Sequence, residues 1–169
     1  MTPVSQGTSE SRDGGHLLVH FEPHLPYAYA DLWPVLTTAD GLRGWLGEAE
    51  VLERHLDGAV TLRPLDGGPP ASGRITAWDV ERVVEYTLGG LGRIRFHLEP
   101  VGTDSTVIRF LNEREGPGPD PGDRLDALAD WHQHFELLEA APTASTGWSR
   151  ARRAELRDSY ARPLTRRRA

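Results

Sequence analysis

One segment near the C-terminal end has a helical pattern long enough to organise a small domain. From Asp123 to Ala141, apolar residues recur at steps of three and four, which is the spacing of one face of an α-helix. These residues are Leu125, Leu128, Trp131, Phe135 and Leu138, with His132 at the edge. Asp123 is placed to cap the first turn, and Pro142 ends the pattern. At about 1.5 Å per residue the helix would be roughly 28 Å long, enough to cross a small domain.

Upstream of this helix the apolar residues alternate, which is typical of strands with one buried face. Short segments of this kind follow one another, separated by turn sequences such as Asp57-Gly58 and Gly89-Gly90. They are Ala49–His55, Val60–Pro64, Ser72–Asp79, Arg82–Leu88, Arg93–Val101 and Thr106–Glu113. A further strand is predicted earlier in the chain, at Leu17–Glu22. The pattern from residue 49 onward predicts an antiparallel meander.

Two short helices are predicted between the first strand and the meander. If Asp31 is the N-cap, the first helix begins at Leu32 and Pro34 lies in its first turn, where a missing N–H loses no partner. A longer helix from Tyr27 is the alternative, and Pro34 would then kink it. The second helix is a single turn, Leu42 to Leu46, which presents Trp45.

The element order predicts an α+β fold in which a curved, seven-stranded antiparallel sheet wraps around the long C-terminal helix. Sheet and helix each have one apolar face, and each face covers the other. The predicted organisation is a disordered leader over residues 1–15, one domain over 16–142 and a basic tail over 143–169. The leader has neither the apolar core nor the basic start of a signal peptide, so a cytoplasmic protein is expected.

Charge is distributed unevenly along the chain. The segment from residue 148 to 169 contains eight Arg against Glu155 and Asp158, while the whole chain has a formal charge of −6. The body is therefore acidic, and an acidic body repels nucleic acid and anionic membranes, so neither is expected as a partner. For the tail, a short amphipathic helix lying on the acidic body or a disordered segment is favoured over a segment that binds a phosphate-rich partner.

The sequence contains no recognisable catalytic or cofactor-binding motif. It has no cysteine, which excludes disulfides, thiol nucleophiles and Cys-ligated zinc. The Gly89-Gly90-Leu91-Gly92 run precedes a strand instead of a helix N-terminus, so it is not a phosphate-binding loop. His132 and His134 point about 200° apart on a helix and do not form a metal pair. No metal, no cofactor and no catalytic residue is predicted.

Five sets of short segments follow one another in a distinctive order and spacing. They are Leu32-Trp33-Pro34-Val35-Leu36-Thr37 with Leu42-Arg43-Gly44-Trp45, Gly73-Arg74-Ile75 with Trp78-Asp79, Val84 to Thr87, Arg95 to Pro100, and Asp130-Trp131-His132 with Phe135 and Leu138. In this order and spacing they resemble the START-like (SRPBCC) proteins, in particular the branch of activator-of-heat-shock-ninety-ATPase homologues. The resemblance covers about Leu17 to Ala141. The chain departs from the family pattern at Val80, Asp130 and Leu88, where the family has Pro, Gly and often Trp.

The resemblance implies the helix-grip fold and an apolar cavity between the sheet and the long helix. The candidate ligand-binding residues in that cavity are Trp45, Tyr86, Phe96, Phe110, Trp131, His132 and Phe135. The alternative is that these side chains form a solid core, since aromatic stripes often serve packing. His132 is a candidate to exchange a proton with a ligand, although a buried, hydrogen-bonded histidine without that role is favoured.

Three functions are compatible with these residues. The first is a binding domain for a small hydrophobic molecule, acting as a carrier or sensor in stress or secondary metabolism. The second is an enzyme of the polyketide cyclase or aromatase kind, which requires an inward polar pair such as His132 with Tyr86 or Arg74. The third is a protein-interaction domain that acts on a chaperone ATPase. The apolar lining without a clear acid-base pair favours the first, in a monomer or homodimer.

Overall fold

A computed structural model describes residues 4–12, 15–115, 121–140 and 148–162. Strands and short helices come first and two longer helices last. The elements are β1 (Thr8–Arg12), β2 (His16–Phe21), β3 (His24–Leu25), α1 (Tyr29–Thr37), α2 (Ala39–Arg43), β4 (Gly47–Leu52), β5 (Ala59–Pro64), β6 (Ala71–Asp79), β7 (Val83–Leu88), β8 (Gly92–Val101), β9 (Ser105–Arg114), α3 (Pro121–Ala140) and α4 (Arg150–Ala161).

All strands belong to one antiparallel sheet, in the order β1-β2-β9-β8-β7-β6-β5-β4, with β3 also paired to β9. The seven predicted strands and the α+β class are confirmed, and the sheet has two strands more than predicted. One is β3, only two residues long. The other is β1, so the prediction that residues 1–15 are a disordered leader is wrong for 8–12. Its polar side chains give no strand pattern, and β1 forms by pairing with β2 from Thr8↔His20 to Arg12↔His16.

The two short helices are present with different boundaries. α1 begins at Tyr29, so Asp31 lies in its first turn instead of capping it, and Pro34 lies inside the helix. Leu32, Trp33 and Leu36 are buried along its inner face. α2 begins before Asp40-Gly41, a pair typical of a break in the chain, because the Thr38 side chain accepts a hydrogen bond from the Gly41 N–H. Trp45 follows the end of α2 and is fully buried.

The long helix α3 is buried on two sides. Its apolar side chains Leu128, Trp131, Phe135 and Leu138 face the sheet, as predicted. Ala127 and Gln133 lie on the side that the pattern marks as polar, and both are buried as well. Ala127 belongs to the hydrophobic core, whereas Gln133 is covered by a second helical segment, whose Ser149 N–H donates to its Oε1.

That second helix is α4, in the basic tail. Ser149 caps it by accepting a hydrogen bond from the Arg152 N–H at 3.0 Å, and Leu156 is its buried apolar residue. The Arg166-Arg167-Arg168 end lies outside the described residues. No helix in the described part of the chain is long and apolar enough to cross a bilayer. The packing of α4 places its arginines beside the acidic residues of α3.

Candidate functional site

A cavity of about 260 Å³ opens at the end of the sheet where the β5–β6 and β7–β8 turns meet the middle of α3. Its walls are mainly apolar and come from the segment that follows α2, from the sheet with its turns, and from α3. The lining residues are Leu46, Leu62, Pro64, Asp66, Gly68, Pro69, Pro70, Ala71, Gly89, Gly90, Leu91, Arg114, Asp130, Trp131 and His134. Apolar walls with a few polar groups are typical of small-molecule sites.

One wall is the tight turn between β7 and β8. Gly90 and Gly92 have φ angles of 83° and 81°, a region that disfavours residues with a Cβ. A Cβ on Gly92 would also lie 2.2 Å from the Glu113 carbonyl oxygen, so β9 runs directly beside the turn. The glycine run noted in the sequence therefore brings backbone close to the cavity and places Leu91 in its wall.

Asn112 of β9 holds three parts of the cavity together. It is fully buried, and its Nδ2 donates to the carbonyl oxygens of Leu91 at 2.9 Å and Arg93 at 3.0 Å. Its Oδ1 accepts from Trp131 Nε1 and from Arg114 Nε, both at 3.0 Å. One side chain thus ties the β7–β8 turn, α3 and the Arg114 guanidinium into a fixed arrangement.

Two nitrogen side chains give the cavity its chemistry. Burial lowers the pKa of Arg114, and the charges of Asp130 and Asp123 act in the opposite direction; an arginine nevertheless stays protonated in a protein. His134 Nδ1 lies 2.8 Å from the Trp45 carbonyl oxygen. A carbonyl oxygen only accepts hydrogen bonds, so Nδ1 carries the proton and donates. In the neutral ring, Nε2 is then unprotonated and can accept a hydrogen bond. Burial lowers the pKa of His134, an effect that the Trp45 hydrogen bond and nearby carboxylates oppose.

Helix α4 contacts the cavity from behind. Arg153 forms an ion pair and hydrogen bonds with Asp130, which lines the cavity. The Trp148 ring packs on the His134 ring at a centroid distance of 4.8 Å. The charge of Asp130 and one side of the His134 ring are therefore both engaged by the C-terminal segment.

Five of the seven predicted ligand-binding side chains are brought together, namely Trp45, Phe96, Phe110, Trp131 and Phe135. They pack as one aromatic cluster with centroid distances of 4.5 Å for Phe110–Trp131, 4.9 Å for Phe110–Phe135 and 5.6 Å for Trp45–Phe96. Of the seven, only Trp131 is among the residues that line the cavity. The cluster therefore lies behind the cavity, and the role of its other members in binding stays a prediction.

Tyr86 and His132 form hydrogen bonds with different partners, and neither lines the cavity. Tyr86 donates to the Leu36 carbonyl oxygen at 2.7 Å, and burial raises its pKa. His132 Nδ1 lies 2.8 Å from the Tyr160 hydroxyl of α4, and burial lowers the pKa of His132. Arg74 contacts the Asp57 carbonyl oxygen at 3.5 Å. The inward polar pair that an enzyme would need is thus not formed by His132 with Tyr86 or Arg74.

Sequence reasoning missed Asn112, Arg114 and His134 as site residues. Asn112 was recognisable as a polar residue on the strand face that carries Ile108 and Phe110, but its partners come from other parts of the chain. His134 was considered only as a metal ligand. In the described part of the chain no group of three or more His, Asp or Glu side chains is placed to hold a metal ion.

A larger cleft of about 510 Å³ lies at the other end of α3, lined by His24 to Tyr27, Ser105 to Val107 and Glu139. The Tyr27 hydroxyl donates to the Glu139 carbonyl oxygen there, and burial raises the pKa of the Glu139 carboxyl. This cleft reaches Ala140, the last described residue of α3. We therefore assign the candidate site to the cavity beside Asn112.

The architecture is shared with solved structures of low sequence identity. A conserved protein of unknown function from Enterococcus faecalis has a TM-score of 0.72 at 18% identity, over 91% of this chain and 87% of that one. CalU16 from Micromonospora echinospora has a TM-score of 0.68 at 13% identity, over 95% and 97%. The chain has the helix-grip fold. The Aha1 dimer from Colwellia psychrerythraea has it too, with a TM-score of 0.63 at 18% identity, over 77% and 98%.

Likenesses at these identities establish the helix-grip fold and leave the function open. No protein-family model matches the chain, and no curated protein sequence matches it. The residues of the site are therefore the basis for assigning a function to this helix-grip domain.

Proposed function

We propose that this helix-grip domain binds a small, largely apolar molecule in the cavity beside Asn112, as a carrier or sensor. The composition of that cavity supports the proposal, because its side chains are mostly Leu, Pro, Ala and Trp, with few polar ones. Ligand sites usually combine an apolar wall with a few placed polar groups. At about 260 Å³ it is slightly smaller than the roughly 300–1,000 Å³ of typical ligand pockets, so the ligand is expected to be compact.

The aromatic cluster supports this assignment as the rigid back of the site. Trp131 joins the two, because its ring lines the cavity and packs on Phe110. In this proposal Trp131 contacts the ligand. The other members of the cluster hold the Trp131 ring in place; they are Trp45, Phe96, Phe110 and Phe135. Tyr86 and His132 take part only indirectly, through Leu36 and α4 respectively.

Native mass spectrometry and thermal shift test the proposal. We expect a co-purified small molecule, or a compound from a hydrophobic panel that raises the melting temperature by several degrees. Leu91→Trp, which fills the cavity, should abolish that shift. Leu56→Trp is the matched control, because Leu56 is 55% exposed and does not line the cavity. A bare mass together with a flat panel would contradict a ligand carrier.

The second candidate is a cyclase- or aromatase-like enzyme, favoured by one observation. His134 lines the cavity, and its hydrogen bond to the Trp45 carbonyl fixes the neutral tautomer with Nε2 as acceptor. A histidine held in this way can serve as a general base. His134→Asn keeps an N–H donor for the Trp45 carbonyl and removes Nε2. Accelerated cyclisation of a linear poly-β-carbonyl thioester by wild type, lost in His134→Asn, would support the enzyme; no acceleration would contradict it.

The third candidate, action on a chaperone ATPase, has no support specific to this chain. The likeness to the Aha1 dimer at 18% identity concerns the fold alone. Both a monomer and a homodimer are compatible with the proposal, and sedimentation would distinguish them.

A further inference from the structure

We propose that the ligand of this cavity is an organic acid, and that Arg114 binds its carboxylate while the apolar walls hold its body. The inference rests on the proposed binding function and names the ligand class that the same cavity takes. Among the described residues that line the cavity, Arg114 is the only cation.

Arg114 is held in place before a ligand arrives. Its Nε donates to Asn112 Oδ1 at 3.0 Å, and Asn112 is itself fixed by Trp131, Leu91 and Arg93. The bond to Asn112 uses Nε, so the terminal amino groups, which carry the remaining guanidinium protons, are not engaged by it. A fixed planar fork of donors is suited to a carboxylate, which accepts two parallel hydrogen bonds.

The acidic residues of the lining are compensated by other groups. Asp130 is paired with Arg153 of α4. Asp66 is exposed, and its Oδ1 accepts a hydrogen bond from the Gly68 N–H at 2.8 Å. Burial keeps the pKa of His134 below its ordinary value, so His134 adds no second positive charge at neutral pH. The charges of Asp130 and Asp123 act on Arg114, which is the one side chain of the described lining that offers charged donors to an anion.

The position of Arg114 also makes an anion favourable. The guanidinium is partly buried, and the loss of water around it is the main cause of its lowered pKa. A carboxylate that enters the cavity replaces the lost hydration of the guanidinium and stabilises its positive charge. A neutral ligand of the same shape gains the apolar contacts alone.

Calorimetric titration with three probes of one shape tests the proposal. The probes are naphthoate, its neutral amide naphthamide and the cationic naphthylmethylammonium, each added to the full chain at neutral pH. We expect naphthoate to bind about 10 to 100 times more tightly than naphthamide, as for a hydrogen bond to a charged group. The cation should bind most weakly. Leu91→Trp, which fills the cavity, should abolish binding of all three.

Substitutions at Arg114 assign the preference to this side chain. Arg114→Gln should reduce naphthoate affinity to that of naphthamide and leave naphthamide unchanged. Arg114→Lys keeps the charge without the planar fork and should retain part of the preference. Arg43→Gln is the control for net charge, because Arg43 pairs with Asp40 on the surface away from the cavity.

The outcomes separate this inference from the proposed function. If naphthamide or the cation binds as tightly as naphthoate and Leu91→Trp abolishes that binding, the cavity stands and acid recognition is overturned. If none of the probes binds, both proposals fail. Arg114→Gln could weaken the binding of both naphthoate and naphthamide. In that case, naphthoate binding that recovers in Arg114→Lys supports the inference, and naphthoate binding that does not recover overturns it.

Discussion

Helix α3 has two interfaces of opposite character. Towards the sheet it presents Phe135, whose ring lies 4.9 Å from Phe110 and 5.2 Å from Phe21. Towards α4 it presents acidic residues, which pair with arginines: Glu136 with Arg152, Asp130 with Arg153, and Asp126 with Arg157. The stability of the first interface depends on close packing of apolar side chains. The stability of the second depends on ion pairs, which dissolved salt weakens by screening.

The difference indicates that the two parts of the molecule open independently. Removing apolar volume from the sheet side destabilises the whole domain, because the cavity left behind cannot collapse fully. Removing charge from the α4 side acts on one helix, and exposed ion pairs contribute only about 0–1 kcal/mol each. The candidate site lies where the two interfaces meet, with Trp131 from one and Asp130 from the other.

Phe135→Ala tests the sheet side and should have the largest effect. Phe135 is fully buried, so we expect a loss of about 3–5 kcal/mol in the free energy of unfolding, measured by urea denaturation. Phe135→Leu keeps most of the volume and should cost clearly less. A loss below about 1 kcal/mol for Phe135→Ala would mean that the space around this ring is not packed core.

Asn112→Ala tests the polar member of the same interface. The substitution leaves the Leu91 and Arg93 carbonyls and the Trp131 N–H without their partner. Stranded buried groups of this kind cost about 1–3 kcal/mol, which the same denaturation assay measures. Thr61→Ala is the control, because Thr61 loses an exposed hydrogen bond to Ser72 and should change stability far less. Equal effects of the two substitutions would contradict the role given to Asn112.

The sheet side of α3 was predictable because its information is local. Residues three and four apart share a helix face, and this spacing alone identifies Leu128, Trp131, Phe135 and Leu138, which are buried, and Leu125, which is half-buried. Alternation likewise identifies seven of the nine strands in the described part of the chain. Both patterns depend only on neighbouring positions along the chain.

The candidate site was not predictable in this way. Its lining comes from the sheet, its turns and α3, and its contacts join residues that are distant in sequence, such as His134 and Trp45. A bulge between Ile75 and Ala77 of β6 shows the same limit within one strand. It shifts the alternation, so that Trp78 packs on Trp33 at 5.2 Å although the simple pattern would send it outward.

The α4 side was only partly visible in the sequence. The tail pattern favoured an amphipathic helix lying on an acidic body, and α4 does lie on the acidic side of α3. The pairing of individual arginines with individual acids could not be predicted, because charge balance alone permits many registers. The burial of Gln133 follows from that register, since its Oε1 accepts from the Ser149 N–H at 2.8 Å.

A pH titration distinguishes the two sides through His132 and His134. Burial lowers the pKa of both below the ordinary value of 6.5, so the unfolded chain takes up protons that the folded chain resists. Stability is therefore fully present above about pH 6.5 and is lost as the pH falls towards the lowered pKa values. We expect the melting temperature to drop as the pH falls below about 6.5.

Single substitutions assign this pH dependence to a side of α3. His132→Asn removes the titrating group next to α4, and His134→Asn removes the one bonded to the Trp45 carbonyl. Each should flatten the pH dependence relative to wild type, whereas His55→Asn, at an exposed site, should not. The comparison with wild type cancels Glu139, whose raised pKa acts in the opposite sense. A melting temperature that rises on acidification equally in all four proteins would contradict the assignment.

Replacing Arg152, Arg153 and Arg157 together by Gln tests the α4 side and should have the smallest effect on global stability. Each pair is partly exposed, so the summed loss should be within about 0–3 kcal/mol, and hydrogen exchange should increase in α4 much more than in α3. Salt at about 1 M shortens the screening length to about 3 Å and should bring wild-type α4 to the same exchange rate, with no comparable effect in the triple variant.

If α4 stays as protected as α3 under both conditions, Leu156 and Trp148 hold it, and the contrast between the two interfaces fails. In the triple variant Asp130 has lost Arg153 and becomes available to Arg114, so this variant should also bind naphthoate less tightly.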